Sequence, residues 1–212
     1  MIAIFKSGGP VMIPLLACSL VSLTVIIERG IFWALVGMRA NQNLINRVMA
    51  LCQEGDWDSV REAVAGSQSY VIRILVSGIL HRKYSMVKAM ETAAADEIAR
   101  MRRYMGILDT IITVAPLLGI FGTVLGIINS FEMLGGGIDH PEAVTAGIAQ
   151  ALITTASGLG IAIFTVFPFN YFNARVERAV RFIEKYATSL EIVYEKRTGQ
   201  NVSLPPEGGH EH

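Results

Sequence analysis

Two apolar stretches decide the fold of this chain: ILDTIITVAPLLGIFGTVLGIINSFEM, residues 107–133, and VTAGIAQALITTASGLGIAIFTVFPFNYF, residues 144–172. A bilayer core about 30 Å thick needs about 20 apolar residues at a rise of ~1.5 Å each, so both stretches are long enough to span it. Neither has Lys, Arg, Asp or Glu at its centre, and each is rich in Gly, Ala and hydroxyl side chains instead. The turn between them, residues 134–143, holds Gly135, Gly136 and Gly137, then Asp139, His140, Pro141 and Glu142. Asp139 with Glu142 three residues later is a capping pattern, and Pro141 suits the first turn of the helix that follows. His140 is expected to be a solvated turn residue. The pair reads as a membrane hairpin.

Composition agrees with that reading. The chain has 212 residues, 52% of them hydrophobic and 17% charged, with 18 cations balanced by 18 acids. A soluble domain is nearer a quarter charged. The neutral balance argues against nucleic-acid binding, which shows a basic excess. Cys18 and Cys52 offer neither a disulfide framework nor metal-ligand spacing. There is no nucleophile paired with a base, no phosphate-binding loop and no metal cluster at useful spacing, so neither an enzyme nor a cofactor is expected.

Upstream, residues 11–27 form a further apolar run, preceded by Lys6 and followed by Glu28 and Arg29. The lone Lys and the Leu15-Leu16-Ala17-Cys18 box also fit a signal peptide. The run continues well past Cys18 and ends at charges, so residues 1–37 are read as an external segment and a retained first span. Glu28 and Arg29 sit at the inner end of this span, where long side chains can reach the interface.

Residues 38–106 are polar with helical signals. Leu44, Ile45, Val48 and Leu51 mark one helix up to Gly55, a second opens at Asp56 and ends at Gly66, and a third covers 69–82. From Ser85 the helical period meets no breaker before Gly106, which predicts one rod running straight into the second span. The Arg100, Arg102 and Arg103 cluster reads as an interfacial anchor. Beyond Phe172 the apolar residues narrow to Val176, Val180, Ile183, Ala187, Leu190 and Tyr194, a heptad seam expected over 173–198 to pack on partner helices. Residues 199–212, with paired Pro and Gly and no periodicity, read as disordered, and His210 and His212 as adventitious metal binders at most.

Cations set the expected topology. Residues 38–106 hold ten Lys and Arg and the stretch after Phe172 holds six, whereas the hairpin turn has Glu132, Asp139 and Glu142 and no cation. Both cationic regions are therefore expected in the cytoplasm, with the turn and the N-terminus outside. The expected fold is all-α, an integral membrane protein with three transmembrane helices and long cytoplasmic extensions.

On the last span Gly147, Ala151, Thr155, Gly158 and Ala162 fall on one helical stripe, and the middle span answers with Ala115, Gly119, Gly122 and Gly126. Small residues let helices approach closely in lipid. Close packing explains the glycines, with the hydroxyls bonded back to backbone carbonyls. It explains less well why Gln150, Thr154, Thr155 and Ser157 gather over two turns, with Thr123 opposite. That cluster suits a narrow, partly hydrated passage. An ion path needs an ionisable or densely coordinating group within the membrane. Asp109 lies only near the start of its span, so a partner is expected to bring the carboxylate.

Residues 115–127 and 147–159 closely resemble the MotA/TolQ/ExbB family, nearest the ExbB and TolQ branch, and Ile26-Ile27-Glu28-Arg29 fits as well. The resemblance implies a bacterial inner-membrane subunit that forms a homopentameric ring in the lipid bilayer around a dimer of an ExbD- or TolR-like single-span protein. That partner carries an intramembrane Asp, and ion flow drives its movement to do work at the envelope. Thr123 and Thr155 match the family's pore threonines. Gln150 stands where many ExbB-like proteins have Glu, and Gln cannot carry a proton charge. The hydroxyls suit sodium or a water wire, and the proton is preferred. A non-conducting membrane scaffold is the alternative from a different class.

Overall fold

The computed structural model describes residues 9–38, 42–135 and 141–202. All regular structure among them is helical: α1 Met12–Met38, α2 Gln42–Glu54, α3 Trp57–Val64, α4 Tyr70–Leu80, α5 Met86–Arg102, α6 Met105–Gly135 and α7 Pro141–Val202. Lys6, residues 136–140 of the hairpin turn with Asp139 and His140, and the tail with His210 and His212 lie outside the described residues. α7 continues through Gly199 to Val202. Contacts divide the chain into one unit of Met1–Phe32 with Arg102–Ala174 and another of Trp33–Met101 with Arg175–His212.

The first unit is built inside out relative to a soluble protein. Within α6 the buried face is Ala115, Gly119, Gly122, Gly126 and Ser130, while Leu117, Ile120, Phe121, Val124 and Phe131 are exposed. In α7 the exposed residues include Leu152, Ile163, Phe164 and Phe167, the last at 71%. An apolar exterior of this extent is a liability in water and is stable in lipid. Three helices, α1, α6 and α7, are long and apolar enough to cross a membrane. Leu15 of α1 is buried with Val11, Met12, Ile111 and Ala115. This is a membrane protein.

The second unit has an ordinary hydrophobic core. Ile45, Val48 and Cys52 of α2, Val60 of α3, Val71, Ile72, Ile74, Leu75 and Ile79 of α4, and Met86 and Met90 of α5 close around Ile183, Tyr186 and Leu190 of α7. Each such side chain stabilises the unit by about 1.5–3 kcal/mol. Asp56 caps α3 by accepting from the Ser59 amide at 3.0 Å. Arg73 grips Glu97 with two parallel bonds, Nε to Oε1 at 2.9 Å and Nη2 to Oε2 at 2.7 Å, tying α4 to α5.

Three expectations are corrected here. The heptad seam of α7 is not left for partner helices: Ile183 and Leu190 are buried in this chain's own core, and the Tyr194 hydroxyl donates to the Arg82 carbonyl at 2.9 Å. The rod expected to run from residue 85 into the second span is interrupted at Arg103 and Tyr104, where Tyr104 takes φ 64°. A left-handed non-glycine residue costs about 1–2 kcal/mol and must be held by its surroundings. Arg29 does not extend its head group into solvent. It is 2% exposed, paired to Glu28 (Nε to Oε2 2.5 Å, Nη2 to Oε1 2.7 Å), 4.4 Å from the Phe32 ring centre and 5.7 Å from that of Tyr104. Burial beside a carboxylate and two aromatic faces replaces the water it would have sought.

Candidate functional site: the seam between α6 and α7

The seam pairs small residues in register. A Cβ placed on Gly119 would lie 3.0 Å from the Thr155 Cα, and one on Gly126 would lie 2.8 Å from the Ala151 Cβ. On Gly122 it would collide with the Thr154 side chain, on Gly147 with the Ser130 hydroxyl, and on Gly158 with the Ala115 carbonyl. Gly160, two residues further along α7, has open space around it. The two backbones therefore touch along a single antiparallel line, running from Gly158 against Ala115 to Gly147 against Ser130. Only residues without a Cβ, or with a small side chain, permit that approach.

Hydroxyls punctuate the line. Thr155 Oγ1 crosses the seam and donates to the Gly119 carbonyl at 2.8 Å. Thr154, 1% exposed, donates along its own helix to the Gln150 carbonyl at 2.9 Å. Ser157 donates to Ile153 O at 2.8 Å, and Thr123 to Ile120 O at 2.6 Å. Each hydroxyl proton is thus committed to a carbonyl, and what each group has left to offer is oxygen lone pairs. For Thr155 the orientation of those lone pairs is fixed by a bond between two helices. Thr155 and Thr123 are both half-buried.

The Gln150 side chain lies against Gly9. Its amide nitrogen lies where a Cβ on Gly9 would fall, and Gly9 adopts φ 71°, which leaves the side chain covering the backbone just before α1. Asp109 is exposed at the start of α6. Neither span places a charged residue between positions 110 and 131 or anywhere in 144–172. Among the described residues no group of three His, Cys, Asp or Glu is gathered as a metal site requires.

Two buried hydroxyls of α6 and α7 went unnoticed in the sequence. Ser130 donates to Gly126 O at 2.8 Å and Thr165 to Ile161 O at 2.8 Å, both almost fully buried. Ser130 is four residues past Gly126 and Thr165 three past Ala162, so continuing each small-residue stripe by one turn would have found them.

Known proteins match both the seam and the helices around it. The chain is 38% identical over 198 residues to a putative biopolymer transport protein, ExbB-like 1, of Synechocystis, covering 90% of this chain and 77% of that one. It is 32% identical over 196 residues to the ExbB-like 3 protein of the same organism, covering 90% and 93%. A Tol-Pal system protein TolQ of Haemophilus influenzae matches at 37% over 109 residues, 49% of this chain and 48% of that one. The profile of the MotA/TolQ/ExbB proton channel family matches residues 67–185, more than half of the chain and all of the seam. This chain belongs to the MotA/TolQ/ExbB proton channel family, in its ExbB/TolQ branch.

Proposed function

We propose that this chain is the ring-forming subunit of an ion-driven motor in the bacterial inner membrane. Five copies surround a dimer of an ExbD- or TolR-like single-span protein, and ion flow through the ring is coupled to mechanical work at the envelope. The observation that carries the reading is the Thr155 hydroxyl locked to Gly119 O at 2.8 Å in a seam without a charged residue. Its lone pairs, and those of Thr123, are preset acceptors for a hydrated proton or cation handed over by a partner's intramembrane carboxylate. Thr154 and Ser157 support the same wall. Gln150, covering Gly9, acts by hydrogen bonding and not by titration. The proton is favoured over sodium because the matching family is a proton channel family. The cation distribution supports an external N-terminus, a cytoplasmic 38–106 region and a cytoplasmic C-terminal end of α7.

A second reading, a non-conducting scaffold, draws on the same hydrogen bonds: Thr123, Thr154 and Ser157 all bond back to their own helices, as packing alone requires. The native mass of the complex co-expressed with an Asp-bearing single-span partner separates the architectures. Five chains with two partner chains are expected, and a monomer or simple dimer contradicts the ring. Vesicles driven by a sodium gradient after the proton gradient is collapsed should show no activity.

A further inference from the structure

In the second unit a cleft of about 230 Å³ opens between the end of α1, the start of α4 and α7. Trp33, Val36, Tyr70 and Phe182 line it together with Arg175 and Arg178. None of its lining residues carries a carboxylate. We propose that this cleft binds the headgroup of an anionic phospholipid.

Residues 33–37 are the last apolar turn of α1 before the polar stretch that opens at residue 39, and Arg175 is the first cation of α7 after the apolar span ending at residue 172. Along the sequence, both segments fall where an apolar span gives way to polar chain, the composition expected where hydrocarbon gives way to headgroups. Trp and Tyr are the aromatic residues that settle at that depth, apolar in body and polar at the tip. Two guanidiniums three residues apart on a helix share a face and present forked donors suited to phosphate oxygens. Both Arg175 and Arg178 also interact within the chain, which restrains them, and an Arg has five N–H donors, enough to hold a phosphate as well. The apolar walls distinguish the occupant: a free phosphate has no use for Val36, Ala179 and Phe182, whereas glycerol and the first acyl carbons cover them. A zwitterionic lipid brings its own cation to the two arginines and is disfavoured.

The test uses the full-length chain purified in a neutral detergent, titrated with phosphatidylglycerol, phosphatidylcholine or inorganic phosphate, and read by native mass and thermal stability. Phosphatidylglycerol is expected to remain bound and to raise the melting temperature, while phosphatidylcholine and phosphate do neither. Removing both cations that attract the anionic headgroup, R175Q/R178Q should reduce the preference for phosphatidylglycerol by roughly tenfold or more. A second reading needs no arginine variant. In a Trp57→Phe background Trp33 is the remaining tryptophan, and brominated phosphatidylglycerol should quench it more than brominated phosphatidylcholine does. Equal binding and equal quenching by the two lipids would overturn the proposal, as would an unchanged preference in the double variant. Stabilisation by inorganic phosphate alone would reassign the cleft to a soluble anion.

Discussion

Gly158 and Gly160 differ by two positions and by everything that surrounds them. A methyl group on Gly158 would run into the Ala115 carbonyl and the Gly119 backbone, neither of which can swing aside, whereas one on Gly160 meets nothing. Gly158→Ala should therefore destabilise the protein in detergent by about 1–3 kcal/mol, read as a lowered melting temperature, while Gly160→Ala is neutral or slightly stabilising. Asp56 supplies a pH-dependent test. Its hydrogen bonds from the Ser59 hydroxyl and amide hold its carboxyl below the ordinary value of 3.8. A lowered folded-state pKa stabilises above the unfolded value and loses that effect as pH falls through the folded one. The melting temperature of Asp56→Ala should thus lie below wild type at pH 7, and the gap should close below about pH 4. Cys52 adds a third check at this scale. Burial pushes its thiol up to about 11, so it should resist alkylation at pH 7.5 in the folded protein and react once unfolded.

At the scale of elements, α4 and α5 are joined by the paired bonds between Arg73 and Glu97, with Glu97 nearly buried and Arg73 half-exposed. A double-mutant cycle with Arg73→Ala and Glu97→Ala should return a coupling of about 1–2 kcal/mol, less than a fully buried pair because water reaches one side. Glu97→Ala alone should cost more than an exposed-pair deletion. The helices themselves were legible in the sequence because apolar spacing is a local signal: residues 42–54 and 70–80 form helices within a residue or two of where their periodicity places them. The break before α6 was not legible. Tyr104 is neither Gly nor Pro, and its positive φ is compensated by ring contacts with Arg103 at 4.6 Å and Arg29 at 5.7 Å, the latter from a residue far away in sequence. The α7 seam shows the same limit. Its period announces a buried face, but Ile183 and Leu190 could have met another chain's helix as readily as the core they enter. At the α6–α7 seam the small-residue faces follow from spacing alone, whereas the bond from Thr155 to Gly119 depends on how two helices align and no single stripe reveals it.

For the whole molecule, the contrast between its two units defines the account. One hides glycines and hydroxyls and exposes large apolar side chains, and the other buries Ile, Leu, Val and Met as a soluble domain does. The proposal that the seam conducts is tested most directly by proton flux through vesicles containing the chain with the proposed Asp-bearing partner, comparing wild type with Thr155→Ser and Thr155→Val. All three should assemble to the same mass. Flux should survive in Thr155→Ser, which keeps the oxygen, and fall by roughly tenfold or more in Thr155→Val, the effect of losing about 1.4 kcal/mol of polar stabilisation along the path. Equal flux from all three would contradict a role for Thr155 in conduction and leave its hydroxyl as a fastener between α6 and α7.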